Sequence, residues 1–541
     1  MVTLPNCLGI EKATVFYDDI QKKKDSIALS AIADFEISSN SSMENGVCVN
    51  IFNAAGDAIE ANYIVAPSPV AKSKSSLLAS TYQICGSVTA GNIVKNYDFT
   101  VENSGDHAER VAAALNTGSI SKKDALDLYL DICATGSVGE CGTFIMAQLM
   151  NLCEDTDFMS QLSAEKQGAL RALTTYSITY TNERFYRGVS GADRIAVYYE
   201  DDGKPDAPKI IKDIHKAFMD TEDTFCGIGG LGYDKPLTPD YTTFNVYTTS
   251  SACASGSSIA AWAPPYANGK SCIEVFNISL TSTTITLSLK GILAHEYFHC
   301  ITHTYRDMTS LQIASNWFVE SIATWASYKQ YGSSYEDMIG EINTFLNGNN
   351  SSLTNRTYGA VLFPFFMQIY RGGDNAVKNM LVYLKTYPSY DIYQVINTIT
   401  SASGGFQGSF AEFWVRNYTP RASYSTYSTS AWLYEPGDIT VYASPSTSYG
   451  VSTLACRFIE YPLKPSGSNT NVTVNVFSGL ASEIRNYALF RTSSGTSYAI
   501  DISPYTGSLV TFVVPSGYTV ATIVSMNTGR SSMIGCQVTI S

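Results

Sequence analysis

A chain of 541 residues is too long for one hydrophobic core, so two to four domains are expected. Hydrophobic residues at 45% and charged residues at 15% describe a folded chain and exclude intrinsic disorder. A formal net charge of -13 and an isoelectric point near 4.9 argue against nucleic acid or an anionic membrane surface as partner.

No run reaches the roughly 18 to 20 apolar residues that a membrane helix requires, so no membrane insertion is expected. The 36 tyrosines and the abundant Ser, Thr and Asn resemble exported proteins with exposed sheet. The first residues, Met1 to Cys7, lack the basic and apolar regions of a signal peptide. The expectation is a secreted or cell-surface protein whose leader is not part of this sequence. The Asn-x-Ser/Thr triplets, such as the one at Asn277, permit glycosylation but also arise by chance in a Ser/Thr-rich chain. Twelve cysteines spread over this length do not make a disulfide scaffold, although three pairings are plausible: Cys133 with Cys141, Cys253 with Cys272, and Cys456 with Cys536.

Residues 1–103 read as a β-rich domain, from alternating runs at 31–37 and 47–52 separated by Asn, Ser and Gly. The basic run Lys22-Lys23-Lys24 reads as a solvated turn. Over 104–190 the period becomes helical, with Ala108, Val111, Ala112 and Leu115, then Ala125, Leu126, Tyr129 and Ile132, and with Ser119 and Ser121 as caps. Residues 191–420 open with a strand at 193–199 and a helix carrying Ile210, Ile211, Ile214 and Phe218, followed by strands at 243–248 and 273–278. His107 and His215 read as structural histidines. Further helices are expected at 358–370 and 377–387 and around Phe410 to Trp414, with a flexible Asn/Ser/Gly loop at 343–356 rimming a cleft. Residues 421–541 alternate in four clear runs and read as a β-sandwich. The fold class is therefore α+β, multidomain.

The chemistry concentrates between Thr284 and Ala326. His295-Glu296-Tyr297-Phe298-His299 sits among Ile292, Leu293, Ala294 and Ile301, a buried-helix context for H-E-x-x-H. Residues four apart lie about 6 Å apart on one helix face, so His295 and His299 can share one metal ion. Zinc accepts imidazole and works with three protein ligands plus water. Two candidates exist for the third ligand, His303 and Glu320. Three imidazoles on one straight helix do not converge on a tetrahedral centre, which favours Glu320. The metzincin pattern is excluded because Thr302 and Tyr305 stand where its glycine and third histidine belong. Glu296, flanked by the two histidines, is placed as the general base that takes a proton from zinc-activated water.

The pair HEYFH and NWFVESIATW resembles the gluzincin metallopeptidases, in particular the secreted peptidase-MA-like proteins. The resemblance extends to the segment Phe225 to Pro236, to Phe244-Asn245-Val246-Tyr247 and to Tyr358-Gly359-Ala360-Val361-Leu362-Phe363. It implies a gluzincin catalytic domain at 191–420, with Zn2+ on His295, His299 and Glu320 and with Glu296 as base. It also implies a hydroxyl donor to the developing oxyanion, for which Tyr358 is the first candidate and Tyr305 the second. A sheet edge that pairs with substrate backbone is implied as well, at 259–263 or 272–278. Residues 104–190 resemble the helical region preceding such domains, a propeptide or a brace; as a propeptide, a thiolate of Cys133, Cys141 or Cys153 would be a possible zinc ligand. Thr302 and Thr324 depart from the pattern, the latter where thermolysin has an aspartate orienting a zinc histidine. No G-x-M-E-N stretch is present, which favours an endopeptidase acting on protein or peptide substrates. The rival reading is an inactive extracellular adhesion or carbohydrate-binding protein on a peptidase scaffold.

Overall fold

A computed structural model describes, with gaps, residues 107–418 and 439–540, together with six strands between residues 14 and 102. Those six are β1 (Thr14–Phe16), β2 (Asp34–Ser39), β3 (Gly46–Phe52), β4 (Ala58–Val65), β5 (Thr81–Ala90) and β6 (Ile93–Glu102). The strands β2, β3 and β4 form an antiparallel meander, while β5 and β6 form an antiparallel pair with β1 added in parallel. The pairs Cys133–Cys141 and Cys253–Cys272 and the run Lys22 to Lys24 lie outside the described residues or side chains.

Helices α1 (His107–Asn116), α2 (Lys122–Thr135), α3 (Thr156–Gln161) and α4 (Ala164–Thr174) follow among the described residues. The Ser121 hydroxyl accepts the Asp124 N–H at 3.1 Å and so caps the start of α2. Val111, Leu126, Tyr129, Leu149 and Leu170 close a core of their own. Ion pairs Lys122–Asp155 and Lys166–Asp127 tie its elements together.

The central unit is built on a mixed sheet of β7 (Glu183–Tyr186), β8 (Ile195–Glu200), β9 (Thr242–Val246), β10 (Ala261–Trp262) and β11 (Ile273–Val275), in the order β10-β11-β9-β8-β7. The middle three strands are parallel, and the two edge strands antiparallel. Helix α5 (Lys209–Cys226) lies between β8 and β9 in the chain and buries Ile210, Ile211, Ile214, Phe218 and Phe225, an apolar stripe at helical spacing. Then come α6 (Leu287–His303) and α7 (Met308–Tyr331), the latter kinked at Ser315. A 3-10, α and π succession spans Gly359–Gly372, with α8 (Leu362–Met367) at its centre, and it is buried from Gly359 to Gln368. It leads to α9 (Ala376–Thr386), α10 (Ile392–Ile399) and α11 (Gly405–Tyr418).

The C-terminal region holds the strands β12 (Ile439–Val441), β13 (Ser446–Val451), β14 (Ala455–Pro462), β15 (Thr470–Ser478), β16 (Ile484–Thr492), β17 (Ser497–Asp501), β18 (Leu509–Val514), β19 (Tyr518–Asn527) and β20 (Ile534–Ile540), with a 3-10 turn at Ser503–Tyr505. They pair as β12-β14-β19-β16-β17 and β13-β20-β15-β18. Ile459, Ala488, Phe490 and Ile523 from the first sheet share one core with Val472, Val474 and Val538 from the second. The alternate residues of the first sheet, Phe458, Leu489, Val524 and Met526, belong instead to the core of the central unit, where Phe458 stacks on Tyr418 at 5.1 Å. The period of two in β14, β16 and β19 thus serves two cores at once.

That alternation corrects one expectation. Cys456 and Cys536 are not joined to each other, because Cys456 faces the central unit while Cys536 faces the inner core of the paired sheets. A second expectation, the flexible rim at 343–356, is also corrected for the residues described there. Phe345 stacks on Trp414 at 5.2 Å, Leu346 is buried, and the Leu353 N–H donates to the Leu454 carbonyl at 3.0 Å. Leu454 holds that carbonyl at a positive φ of 49°, a conformation costing a leucine about 1–2 kcal/mol, which its own burial helps offset.

Candidate metal centre

Helix α6 starts where Thr286, in extended conformation, accepts the Leu289 N–H on its hydroxyl at 3.1 Å. From there Leu293, Ala294, Tyr297, Phe298, Cys300 and Ile301 are all buried, so the helix is held on every side rather than along one stripe. Cys300 is buried among them. Helix α7 packs along α6, and the Ser327 hydroxyl donates to the Gly291 carbonyl at 2.8 Å.

This packing brings three side chains to one point. His295 Nε2 lies 3.0 Å from His299 Nε2 and 3.0 Å from Glu320 Oε2, and His299 Nε2 lies 3.5 Å from the same oxygen. Ligands about 2.0–2.1 Å from a tetrahedral zinc lie about 3.3 Å apart, so the triangle fits a single ion of that size. Glu320 and His299 are wholly buried, at 0% exposure, and His295 nearly so, at 12%. Two imidazole nitrogens this close to a buried carboxylate need a cation or a proton among them. The group fit to hold a metal ion is therefore His295, His299 and Glu320; His303 is not part of it.

The electrostatics agree with that donor set. Burial pushes His295 below its ordinary value, against the Glu320 hydrogen bond that raises it, and His299 beside it lowers it further. Burial would raise Glu320, yet His299 and His295 hold its carboxyl well below the usual range. The same carboxylate raises His299 against the effect of burial. A proton and a divalent cation thus compete for the same three atoms.

Thr324 Oγ1 stands 3.4 Å from His295 Nδ1, one turn of α7 beyond Glu320, a long contact for an oxygen partner. His299 Nδ1 is buried with no hydrogen-bond partner among the described residues. Glu296 is buried beside His299, whose charged form it favours. The Tyr358 ring lies 5.8 Å from the His295 ring, and Tyr358 also packs against the core of α1 to α4. Tyr305 is placed elsewhere. Its hydroxyl accepts the Asp234 N–H at 2.7 Å, and its ring packs edge-on against Tyr233. Of the two suggested substrate edges, β11 is interior, and β10 forms the edge among the described residues.

One arrangement has no counterpart in the sequence reading. Glu222 on α5 is buried and takes ion pairs from Arg194 at 3.0 Å and Lys235 at 2.8 Å, and the Tyr297 hydroxyl from the middle of the H-E-x-x-H turn donates to it. Burial would raise its carboxyl, but these three donors outweigh it and lower it. The available signal was an acid one turn from Phe218 on an otherwise apolar stripe. His215, by contrast, is the structural histidine expected, buried with Nε2 at 3.2 Å from the Ile195 carbonyl.

No family model and no curated protein matches the chain. Among solved structures, similarity is found to a mutant of PliG from Escherichia coli, a periplasmic lysozyme inhibitor of g-type lysozyme. Identity is 14% with a TM-score of 0.14, over 18% of this chain and 90% of that one. The Salmonella Typhimurium PliG gives 14% identity and a TM-score of 0.15, over 19% of this chain and 97% of that one. At such scores the likeness carries no argument about fold or function.

Proposed function

We propose that the protein is a secreted zinc metallopeptidase of the gluzincin type that cleaves internal peptide bonds of protein or peptide substrates. The observation that carries the reading is the meeting of His295, His299 and Glu320 within bonding reach of one point, with Glu296 buried beside them. A zinc ion bound there would supply a Lewis acid and lower the pKa of water to about 7.

The rest of the work falls to the chain. Glu296 accepts the proton of the attacking water and passes it to the leaving amine. Thr324, accepting from Nδ1–H of His295, keeps Nε2 free as a ligand atom. The Tyr358 hydroxyl donates to the oxygen that gains charge as the carbonyl is attacked. Strand β10 offers backbone groups to an extended substrate, which accounts for tolerance of varied sequences.

The test combines metal analysis of the purified chain with casein hydrolysis, with and without chelator. Glu296→Gln is expected to retain zinc and to lose hydrolysis by about 10²- to 10⁴-fold. A chain that binds zinc and hydrolyses nothing, even after cleavage ahead of residue 191, would refute the peptidase reading and leave the binding protein.

A further inference from the structure

Among the described residues, strand β17 forms one edge of its sheet. The N–H of Ile502, next after it, donates to the Asn486 carbonyl at 2.9 Å, which sets the ladder phase between the two strands. With Tyr487 opposite Asp501 and Leu489 opposite Ala499, the backbone groups of Ile500 turn toward β16, and those of Ala499 and Asp501 turn outward. Those outward residues line a groove of about 780 Å³ between this edge and α11. Half-buried Tyr487 and buried Leu489 lie along it, their side chains on the same face of the sheet as Ala499 and Asp501.

Charge is available at this groove in both signs. The Arg485 guanidinium donates to a neutral partner, Gln407, at 2.7 Å. Asp501 accepts the Ser503 N–H at 2.9 Å and is exposed. Glu412, on the opposite wall, is by contrast already paired with Arg371 and with Arg416.

We propose that β17 and this groove bind an extended peptide segment by strand addition. The guest backbone pairs with the outward groups of Ala499 and Asp501. Its alternate side chains enter the groove, an aromatic or aliphatic one over Tyr487, and charged ones against Arg485 and Asp501. A peptide is favoured over a glycan because the outward donors and acceptors recur every second residue, the repeat of an extended chain. The site is separate from the metal ligands, and its occupancy does not depend on hydrolysis.

The probe is the fluorescein-labelled peptide Lys-Thr-Tyr-Thr-Leu-Thr-Glu, titrated by anisotropy into the full chain carrying Glu296→Gln. Saturable binding is expected, with slowed hydrogen exchange at the Ala499 and Asp501 amides. The same peptide N-methylated at alternate residues is expected to bind about tenfold more weakly, as is the unmodified peptide to Ala499→Pro, which removes an outward donor where an edge strand tolerates proline. Absence of binding would overturn the proposal. So would equal affinity of the N-methylated probe, or protection of these amides by chitopentaose and not by the peptide.

Discussion

Replacing Glu320 with glutamine keeps the shape of the third ligand and removes its charge. The carboxylate is wholly buried and lies 3.0 Å and 3.5 Å from the two imidazole nitrogens, so no water replaces it without repacking. Zinc held by four protein ligands is worth about 10–16 kcal/mol, or roughly 3 kcal/mol per ligand. Loss of one ligand therefore weakens zinc binding by about 10²- to 10³-fold, at about 1.4 kcal/mol per factor of ten. Thermal stability reports the same quantity. At a zinc concentration 100 times the wild-type dissociation constant the ion adds about 2.7 kcal/mol to the wild type, and about 0.4 kcal/mol to a variant binding 100-fold more weakly. The assay is competition against a chromophoric chelator at pH 7.5, backed by melting curves with and without zinc, and His303→Gln is the control, expected to bind as the wild type does. Glu320→Gln with unchanged zinc affinity, or His303→Gln with a loss as large, would refute the ligand assignment.

Other expectations concern the surroundings of the site. Glu222→Gln breaks a buried ion-pair network and is expected to lower unfolding stability by about 3 kcal/mol at neutral pH. Because the folded carboxyl lies below its ordinary value of 4.5, Glu222 contributes fully above that pH and its contribution is lost as pH falls through the folded value. Acid denaturation curves of wild type and variant should therefore converge below about pH 4.5; curves that stay parallel would remove Glu222 as the cause. Tyr358→Phe is expected to lower kcat by about tenfold or more with KM little changed, and a rise in KM alone would assign the hydroxyl to ground-state binding. Since Tyr358 also packs on the core of α1 to α4, cutting the chain at an engineered site between residues 175 and 191 should raise casein hydrolysis at unchanged zinc content. A fall instead would mark the helical segment as a brace for Tyr358.

Zinc affinity is itself expected to fall with acidification. The His299 imidazole, raised by Glu320, takes up a proton that excludes the ion, so chelator competition at successive pH values should show weaker binding as pH drops. Affinity constant from pH 8 down to pH 5 would contradict that competition.

What the sequence determined on its own is local. Four-residue spacing places His295 and His299 on one face of any helix they form, and Thr286 and the apolar run around them make that helix start and stay buried. Alternation likewise marked the strands after residue 470, since a half-buried strand carries its two faces in its own residues. The tertiary structure decided what meets what. Glu320 is 25 residues from His295 and reaches it because α7 returns along α6. Cys456 and Cys536 look like partners in sequence, but one faces each of two cores, and a one-dimensional pattern does not say which face of a sheet meets which neighbour. The choice of β10 as sheet edge and the gathering of Arg194, Lys235 and Tyr297 around Glu222 have the same origin. They depend on strand order and helix packing, set by the sum of many weak apolar contacts spread along the chain and by no short stretch of it.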